Sequence, residues 1–366
     1  MTTTNPAVPA TPLASPDPER LARTLATRLP FHAELIALTQ LAGDASNRRY
    51  FRLMVKGEPP SLILMQLADP EGFKKSEEAV SGAAVSIAEL PFTNVLTHLR
   101  RTGVTVPQLH YYDRHAGLLY LEDFGDLTLA EACREATPAV REALYRSAID
   151  QLVQFQVKGT TPPAPGCLAF HRRFDVPLLM WEFDHFLEYG ITARLGQSMT
   201  LSDEQAIRAE FHRIAELLAN QLQVFVHRDY HSRNLMVDGE RIGIIDFQDA
   251  LMGPATYDLA SLLKDAYIEL EEPLVDRLVD YFLDGLSAQG QPWADRATFR
   301  RLFDFTSIQR NLKAAGRFVY IDRVKHNPKF LADIPRVLGY VKRNLAKYPE
   351  LATLRRLLTP YVAELQ

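Results

Sequence analysis

Cysteine is scarce in this chain: its 366 residues include only Cys133 and Cys167, whose separation fits neither a metal-binding nor a redox motif. Both are expected to be reduced thiols, as is usual in the cytoplasm. No apolar run reaches transmembrane length, and the N-terminus lacks the charged-then-apolar layout of a signal peptide. The formal net charge of −4 gives no global reason to expect nucleic acid or an anionic membrane as a partner. These absences predict a cytoplasmic protein with neither kind of partner.

The length of the chain exceeds the usual size of one domain, so two lobes or domains are expected. Residues 1–17 are rich in Thr, Pro and Ala, with almost no large apolar side chain. Such a segment cannot repay the entropy lost on ordering, which predicts a disordered tail before the folded part.

The stretch 226–249 contains three groups that phosphoryl transfer from a magnesium nucleotide requires. It reads V-H-R-D-Y-H-S-R-N-L-M-V-D-G-E-R-I-G-I-I-D-F-Q-D. Asp229 follows His-Arg and precedes Asn234 by five positions, the spacing of a kinase catalytic loop. An apolar run, Ile242 to Ile245, then predicts a buried strand that leads directly to Asp246. We expect Asp229 to be the catalytic base, and Asn234 and Asp246 to be ligands of Mg²⁺.

Two other interpretations of this stretch are open at the level of sequence. Loops in general favour Asp, Asn and His, so the cluster could be incidental. Alternatively, His227, Asp229 and His231 alternate, and an extended segment could present them on one face as the ligands of a metal hydrolase. Against a hydrolase, no other His or Cys cluster has ligand spacing, and such a site would not need Asn234.

Two motifs resemble a known superfamily. H-R-D-Y-H-S-R-N-L-M-V followed by I-I-D-F-Q-D-A-L-M-G-P-A-T-Y-D-L-A resembles the aminoglycoside phosphotransferase and choline-kinase branch of the protein-kinase-like fold. G-D-A-S-N-R-R-Y-F-R-L at 43–53 resembles the bacterial anomeric kinases of N-acetylmuramate and N-acetylglucosamine. The resemblance covers most of the chain from Leu35 onwards. It implies a two-lobed α+β fold, with a small antiparallel-sheet N-lobe at 18–121 and a larger, mostly helical C-lobe at 122–366.

The resemblance also assigns residues to ATP. A turn would offer backbone N–H groups to the phosphates, with Arg49 beside it, and the backbone of Leu121, Glu122 and Asp123 would meet the adenine edge. The turn consists of Gly43, Asp44, Ala45, Ser46 and Asn47. An ordinary hairpin and an ordinary strand end are the alternatives. The strand at 61–65 has Met65 where kinases carry a phosphate-binding Lys, and Arg48, Arg49, Lys74 and Lys75 are candidates to replace it.

Two regions are candidates for binding the acceptor. The stretch 170–190 combines aromatic and acidic residues, as sugar sites do, and makes Glu182 and Asp184 candidate ligands, although helical aromatics often only fill a core. Arg310, Lys313 and Arg317 recur on one helix face, either as a solvated surface or as a site for the N-acetylmuramate carboxylate. His231, close to Asp229, is a further candidate.

The sequence and its resemblance together predict a monomeric kinase that uses ATP and Mg²⁺. The acceptor implied by the resemblance is the anomeric hydroxyl of the two N-acetylated sugars, and the product would serve cell-wall recycling. An aminoglycoside or other small-alcohol kinase shares every catalytic residue and is the main alternative. A non-catalytic nucleotide-binding module is a third possibility.

Overall fold

The computed structural model describes residues 14–41, 48–67, 89–196, 198–239, 241–291, 293 and 295–366. Several predictions fall outside these residues: the tail up to residue 13, the turn formed by Gly43, Asp44, Ala45, Ser46 and Asn47, and the cations Lys74 and Lys75. The chain divides into two compact units, one within Met1–Phe73 and Pro107–Asp123, the other within Lys74–Val106 and Phe124–Gln366.

Among its described residues, the first unit is an antiparallel sheet with one helix. Its elements are α1 (Pro18–Thr27), β1 (Glu34–Gln40), β2 (Arg49–Lys56), β3 (Ser61–Gln66), β4 (Leu109–Asp113) and β5 (Leu118–Glu122). The strand order is β1-β2-β3-β5-β4. Alternate residues of β2, namely Phe51, Leu53 and Val55, are buried in one core with Leu21 and Leu25 of α1, which are one helical turn apart.

The N-cap of α1, Asp17, lies inside the segment that the sequence predicts to be disordered. Asp17 caps the helix by accepting a hydrogen bond from the N–H of Glu19 at 3.1 Å. The carbonyl of Ala14 accepts one from Gln66 Nε2 at 3.0 Å. Residues 14–17 are therefore part of the folded unit. Composition alone does not reveal the two hydrogen bonds that hold them there.

The second unit is mostly helical. Its helices are α2 (Pro91–Arg101), α3 (Leu129–Ala132), α4 (Pro138–Thr160), α5 (Val176–His185), α6 (Leu201–Ala219), α7 (Tyr257–Leu263), α8 (Glu272–Ala288), α9 (Arg296–Lys325), α10 (Ile334–Lys347) and α11 (Ala352–Leu358). Its strands are β6 (Gln223–Val226), β7 (Leu235–Asp238), β8 (Arg241–Ile244) and β9 (Leu251–Pro254). A π-helix, Phe186–Ala193, continues α5. Within the described ranges, no helix is both long enough and apolar enough to span a bilayer.

The N-lobe range of 18–121 that the resemblance implies includes α2, whereas this helix lies in the second unit. Its Asn94 donates to the carbonyl of Gly166 at 2.9 Å and accepts from the N–H of Leu168 at 2.7 Å. Its Phe92 ring lies 5.0 Å from that of Phe247, which follows the proposed metal ligand Asp246. The boundary differs because these partners are distant in sequence.

Helix α6 has the predicted buried stripe but a different start. Ile207, Phe211, Ile214 and Leu218 are buried, as their spacing predicts. Ser202 and Gln205 have the spacing of a capping box, which predicts a cap at Ser202, but this prediction is wrong. Thr200 is the N-cap, and its hydroxyl accepts the N–H of Asp203 at 3.1 Å. Both residue types favour caps, and sequence spacing alone did not distinguish them.

Candidate active site

Two short strand pairs define the proposed catalytic segment. Strand β6 pairs with β9, and β7 pairs with β8, all antiparallel. The pairing of Leu235 with Ile244 places the residue before β7 beside the residue after β8, and the N–H of Ile245 donates to the carbonyl of Asn234 at 3.1 Å. The two proposed metal ligands, Asn234 and Asp246, therefore lie on adjacent ends of one hairpin.

His227 joins the catalytic loop to the segment that leads to Asp246. Its Nε2 lies 2.8 Å from the carbonyl of Ile245, and its Nδ1 accepts the N–H of Asp229 at 3.2 Å. The carbonyl can only accept, so Nε2 carries the proton and both ring nitrogens are engaged. His227 therefore positions the loop. Because both of its ring nitrogens are engaged, His227 cannot be the metal ligand that the metal-hydrolase interpretation requires.

Asp258 holds the backbone at the start of the loop. Its two carboxylate oxygens accept the N–H groups of His227 at 2.7 Å and Arg228 at 3.0 Å. Arg228 has a φ of 78°, a left-handed backbone conformation that residues other than glycine rarely adopt. Burial raises the pKa of the Asp258 carboxyl to about 6, although these two backbone hydrogen bonds oppose the rise. Asp258 thus bonds back to the catalytic loop, as the family resemblance implies. Its residue type also suits a helix N-cap, but the N-cap of α7 is Thr256.

The proposed magnesium ligands offer the oxygen donors that this ion prefers. Asn234 donates from Nδ2 to the carbonyl of Asp229 at 3.0 Å, which leaves its Oδ1 as an acceptor. Asp246 is exposed and has a φ of 64°. Gln248, which the sequence did not single out, donates from Nε2 to Asp246 at 2.9 Å and to Asp249 at 3.1 Å. An amide oxygen and a carboxylate fit Mg²⁺, which usually keeps water and phosphate oxygens as its other ligands.

Asp229 is half-buried and carries a negative charge at neutral pH. Burial acts to raise the pKa of its carboxyl, but the positive charges of Lys313, Arg310 and Arg228 outweigh that effect and hold it far below its usual range. Asp229 can therefore accept a hydrogen bond from an acceptor hydroxyl at any physiological pH. Its low basicity suits orientation of the hydroxyl and late acceptance of its proton.

Arg228, the residue before Asp229, belongs to a buried ion cluster. The other members of this ion cluster are Glu182, Lys313 and Gln309. Glu182 has no exposed surface, and its Oε1 lies 2.8 Å from Lys313 Nζ and 3.3 Å from Arg228 Nη2. Its Oε2 accepts Gln309 Nε2 at 2.8 Å. Burial opposes ionisation of Glu182, but Lys313 and Arg228 outweigh it and lower the pKa. Because Arg228 directly precedes Asp229, the ion cluster holds the backbone next to the proposed base in position.

The other residues predicted to bind the acceptor have different surroundings. Asp184 pairs with Arg208 Nη1 at 2.6 Å, and Glu182 is enclosed, so direct sugar binding by either finds no support in this geometry. His231 is half-buried, and burial lowers the pKa of its imidazole. Arg310 is 6% exposed and, within the described part of the chain, its Nε and Nη1 have no hydrogen-bond partner. Its charge nevertheless acts on Asp229.

The residues assigned to the nucleotide in the first unit are held by the sheet. Leu121 and Glu122 pair with Ile63 and Leu62 of β3. Asp123 is bonded by the guanidinium of Arg52 at 2.6 and 3.1 Å, a bidentate pair that the sequence did not reveal. Arg49 Nη2 donates to Gln40 Oε1 at 3.1 Å. Met65, at the position of the kinase Lys, is fully buried.

Comparison with known sequences identifies the family. The model of the phosphotransferase enzyme family matches residues 37–297. The chain belongs to this family. The phosphotransferase is 33% identical over 335 residues to the N-acetylmuramate/N-acetylglucosamine kinase of Pseudomonas putida, covering 90% of this chain and 88% of that one. A kinase of the same name from Neisseria meningitidis is 33% identical over 329 residues, covering 89% and 91%.

Comparison with solved structures identifies the fold. The streptomycin–ATP ternary complex of the aminoglycoside phosphotransferase APH(2")-IIa matches with a TM-score of 0.56 at 12% identity, covering 93% of this phosphotransferase and 99% of that chain. The predicted α+β, protein-kinase-like fold, with a small antiparallel sheet and many helices, is confirmed.

Proposed function

We propose that this phosphotransferase transfers the γ-phosphoryl group of ATP to the anomeric hydroxyl of N-acetylmuramate and N-acetylglucosamine, forming sugar 1-phosphates for cell-wall recycling. The observation that carries the proposal is the ionised Asp229 carboxylate on a loop joined to Asn234 and close in sequence to Asp246. Two relatives named N-acetylmuramate/N-acetylglucosamine kinase, each 33% identical, support the choice of acceptor sugars.

The proposed chemistry assigns one step to Asp229. The anomeric oxygen bonds to the γ-phosphorus, the bond from that phosphorus to the β–γ bridging oxygen breaks, and ADP leaves with the electron pair. The hydroxyl proton passes to the Asp229 carboxylate. Because Asp229 is a weak base, the proton moves late, when the phosphoryl group has already begun to leave ADP, as a loose transition state requires.

Asn234 and Asp246 are proposed to hold Mg²⁺ through Oδ1 of the amide and through the carboxylate. The ion, when bound, neutralises charge on the transferred phosphoryl group. We also propose that the turn at 43–47, with Arg49, binds the phosphates, and that the backbone of Leu121, Glu122 and Asp123 binds adenine. The Arg52 pair would fix the Asp123 side chain.

The surroundings of the base favour an anionic or neutral acceptor over a cationic one. Lys313 and Arg310 both place positive charge near Asp229, and a polycationic aminoglycoside would be repelled there. An aminoglycoside or small-alcohol kinase is therefore the second candidate, supported by the shared fold. His231, neutral at pH 7, is available in either case as a hydrogen-bonding group.

The proposal is tested by the products of purified protein with ATP and Mg²⁺. N-acetylmuramate, N-acetylglucosamine, glucose, choline and kanamycin are supplied separately, and phosphorus NMR identifies the bond formed. An anomeric phosphate on both N-acetylated sugars is the expected result. Turnover only with kanamycin or choline would overturn the acceptor and keep the phosphotransferase assignment.

A further inference from the structure

A cluster of four aromatic rings, formed by Trp181, His185, Tyr189 and Tyr320, lies where α5 and its π-helix meet α9. Trp181 and His185 stack with centroids 5.8 Å apart, and His185 lies 4.8 Å from Tyr189 and 5.3 Å from Tyr320. Tyr189 and Tyr320 meet edge to face at 5.1 Å. All four residues are half-buried, so the cluster reaches the surface. It is not used in the phosphoryl-transfer step.

Backbone geometry brings the two halves of this cluster together. A Cβ at Gly316 of α9 would lie 2.8 Å from the Cα of Phe186 and 3.0 Å from the carbonyl of His185, so only glycine permits this approach of the two helices. The wide turn of the π-helix begins at Phe186, directly after His185. Such turns occur often at functional sites, and this one places Tyr189 against Tyr320.

The cation at this cluster is Arg317. Its guanidinium lies over the Tyr320 ring, 4.8 Å from the centroid, and the part of the chain that is described offers it no carboxylate partner. The two cations before it on α9 differ, since Arg310 is buried and Lys313 is bonded to Glu182. Arg317 is half-buried and is therefore the one that can pair with an anion from solution.

His185, at the centre of the cluster, is neutral at pH 7. Burial, together with the charges of Arg317 and Lys313, lowers the pKa of its imidazole to about 4. Among the described residues, its Nε2 has no hydrogen-bond partner. A buried polar atom without a partner is uncommon in a folded protein, and a ligand or water is the usual explanation.

Lys313 connects the cluster to the base. It lies one helical turn before Arg317, and its charge acts on both His185 and Asp229. Trp181 precedes Glu182, the carboxylate that bonds Lys313 at 2.8 Å. The rings and the base thus share one charged neighbour.

We propose that Trp181, His185, Tyr189 and Tyr320 with Arg317 form the subsite for the acceptor sugar. The C–H face of the pyranose packs on the rings, and Arg317 binds the carboxylate of N-acetylmuramate, a group that N-acetylglucosamine lacks. This inference rests on the proposed function and adds the residues that distinguish its two acceptors.

The test of Arg317 is the ratio of kcat/KM for N-acetylmuramate to that for N-acetylglucosamine. Arg317→Gln is expected to lower this ratio about tenfold or more, the usual size of a lost charge-assisted hydrogen bond. Arg323→Gln, an exposed arginine of the same helix, is the matched control and is expected to leave the ratio unchanged. An unchanged ratio in Arg317→Gln would overturn the assignment of the carboxylate.

The test of the rings is the KM for each sugar in two variants of Trp181. Trp181→Leu removes the ring and is expected to raise both sugar KM values while the KM for ATP stays constant, whereas Trp181→Phe restores a ring and recovers most of the loss. Equal behaviour of the two variants would overturn the stacking role. If the unaltered protein phosphorylates neither sugar, the proposed function fails, and the acceptor subsite fails with it.

Discussion

The buried carboxylate of Glu182 provides a direct test of the ion cluster behind Asp229. Glu182→Gln keeps the shape of the side chain and removes its charge, so Arg228 and Lys313 lose their shared counter-ion in a site with no exposure. Breaking a buried ion pair from one side costs about 3–5 kcal/mol. The amide oxygen of the variant still accepts one hydrogen bond, so we expect the free energy of unfolding to fall by about 3 kcal/mol.

Thermal unfolding measures this loss. At about 2 °C per kcal/mol for a large domain, the expected decrease in Tm is about 6 °C at pH 7. Because the folded pKa of Glu182 lies below the ordinary value of 4.5, its stabilisation is present above that pH and is lost as the pH falls through the folded pKa. The difference between variant and unaltered protein should therefore shrink in acid.

Glu216→Gln is the matched control, since Glu216 is 56% exposed and only 3.7 Å from His212. A surface pair of this kind contributes about 0–1 kcal/mol, so its Tm should barely change. A Glu182→Gln protein as stable as this control, at every pH, would refute the reasoning about the ion cluster.

Two further predictions concern the catalytic segment. Asp246→Asn is expected to raise the Mg²⁺ concentration for half-maximal activity by at least about tenfold, since even outer partners of metal ligands contribute that much, while the exposed Asp238→Asn serves as control; equal Mg²⁺ curves would contradict the ligand assignment. The second prediction concerns Asp258, whose folded pKa of about 6 exceeds the ordinary 3.8. Its protonated form favours the folded state, so this contribution to the free energy of unfolding is complete below pH 3.8 and is lost as pH rises through 6. The stability gap between the unaltered protein and Asp258→Asn, measured by urea unfolding, should therefore narrow between pH 4 and 6, and a gap that widens would show that the carboxyl is not destabilised by burial.

The catalytic segment was predictable from sequence because its chemistry is local. Asp229, Asn234 and Asp246 occur within 18 residues, and the apolar run before Asp246 forms β8 as its composition predicts. Thr137 and Pro138 are residue types that favour the cap and the first turn of a helix, and α4 begins at Pro138 with Thr137 as its cap. In these cases neighbouring residues supply all the information needed.

The partners of these residues were not predictable, because they are distant in the chain. Glu182 meets Gln309, 127 positions away, and this contact turns a candidate sugar ligand into a support for the base. Asp265 accepts the N–H of Ser232 at 2.9 Å, within the loop, from 33 positions away. Gly316 permits the close approach of α9 to the end of α5, which brings Arg317 and Tyr320 to the aromatic cluster. A single glycine in a sequence does not predict such an approach.

The most direct test of the central claim compares the unaltered protein with Asp229→Asn in two measurements. The account predicts that ATP-dependent formation of the sugar 1-phosphate falls by about 10²–10⁴ in kcat, the usual contribution of a positioned base, while ATP binding measured by calorimetry is retained. An Asp229→Asn protein with undiminished kcat would contradict the assignment of Asp229 and the mechanism built on it.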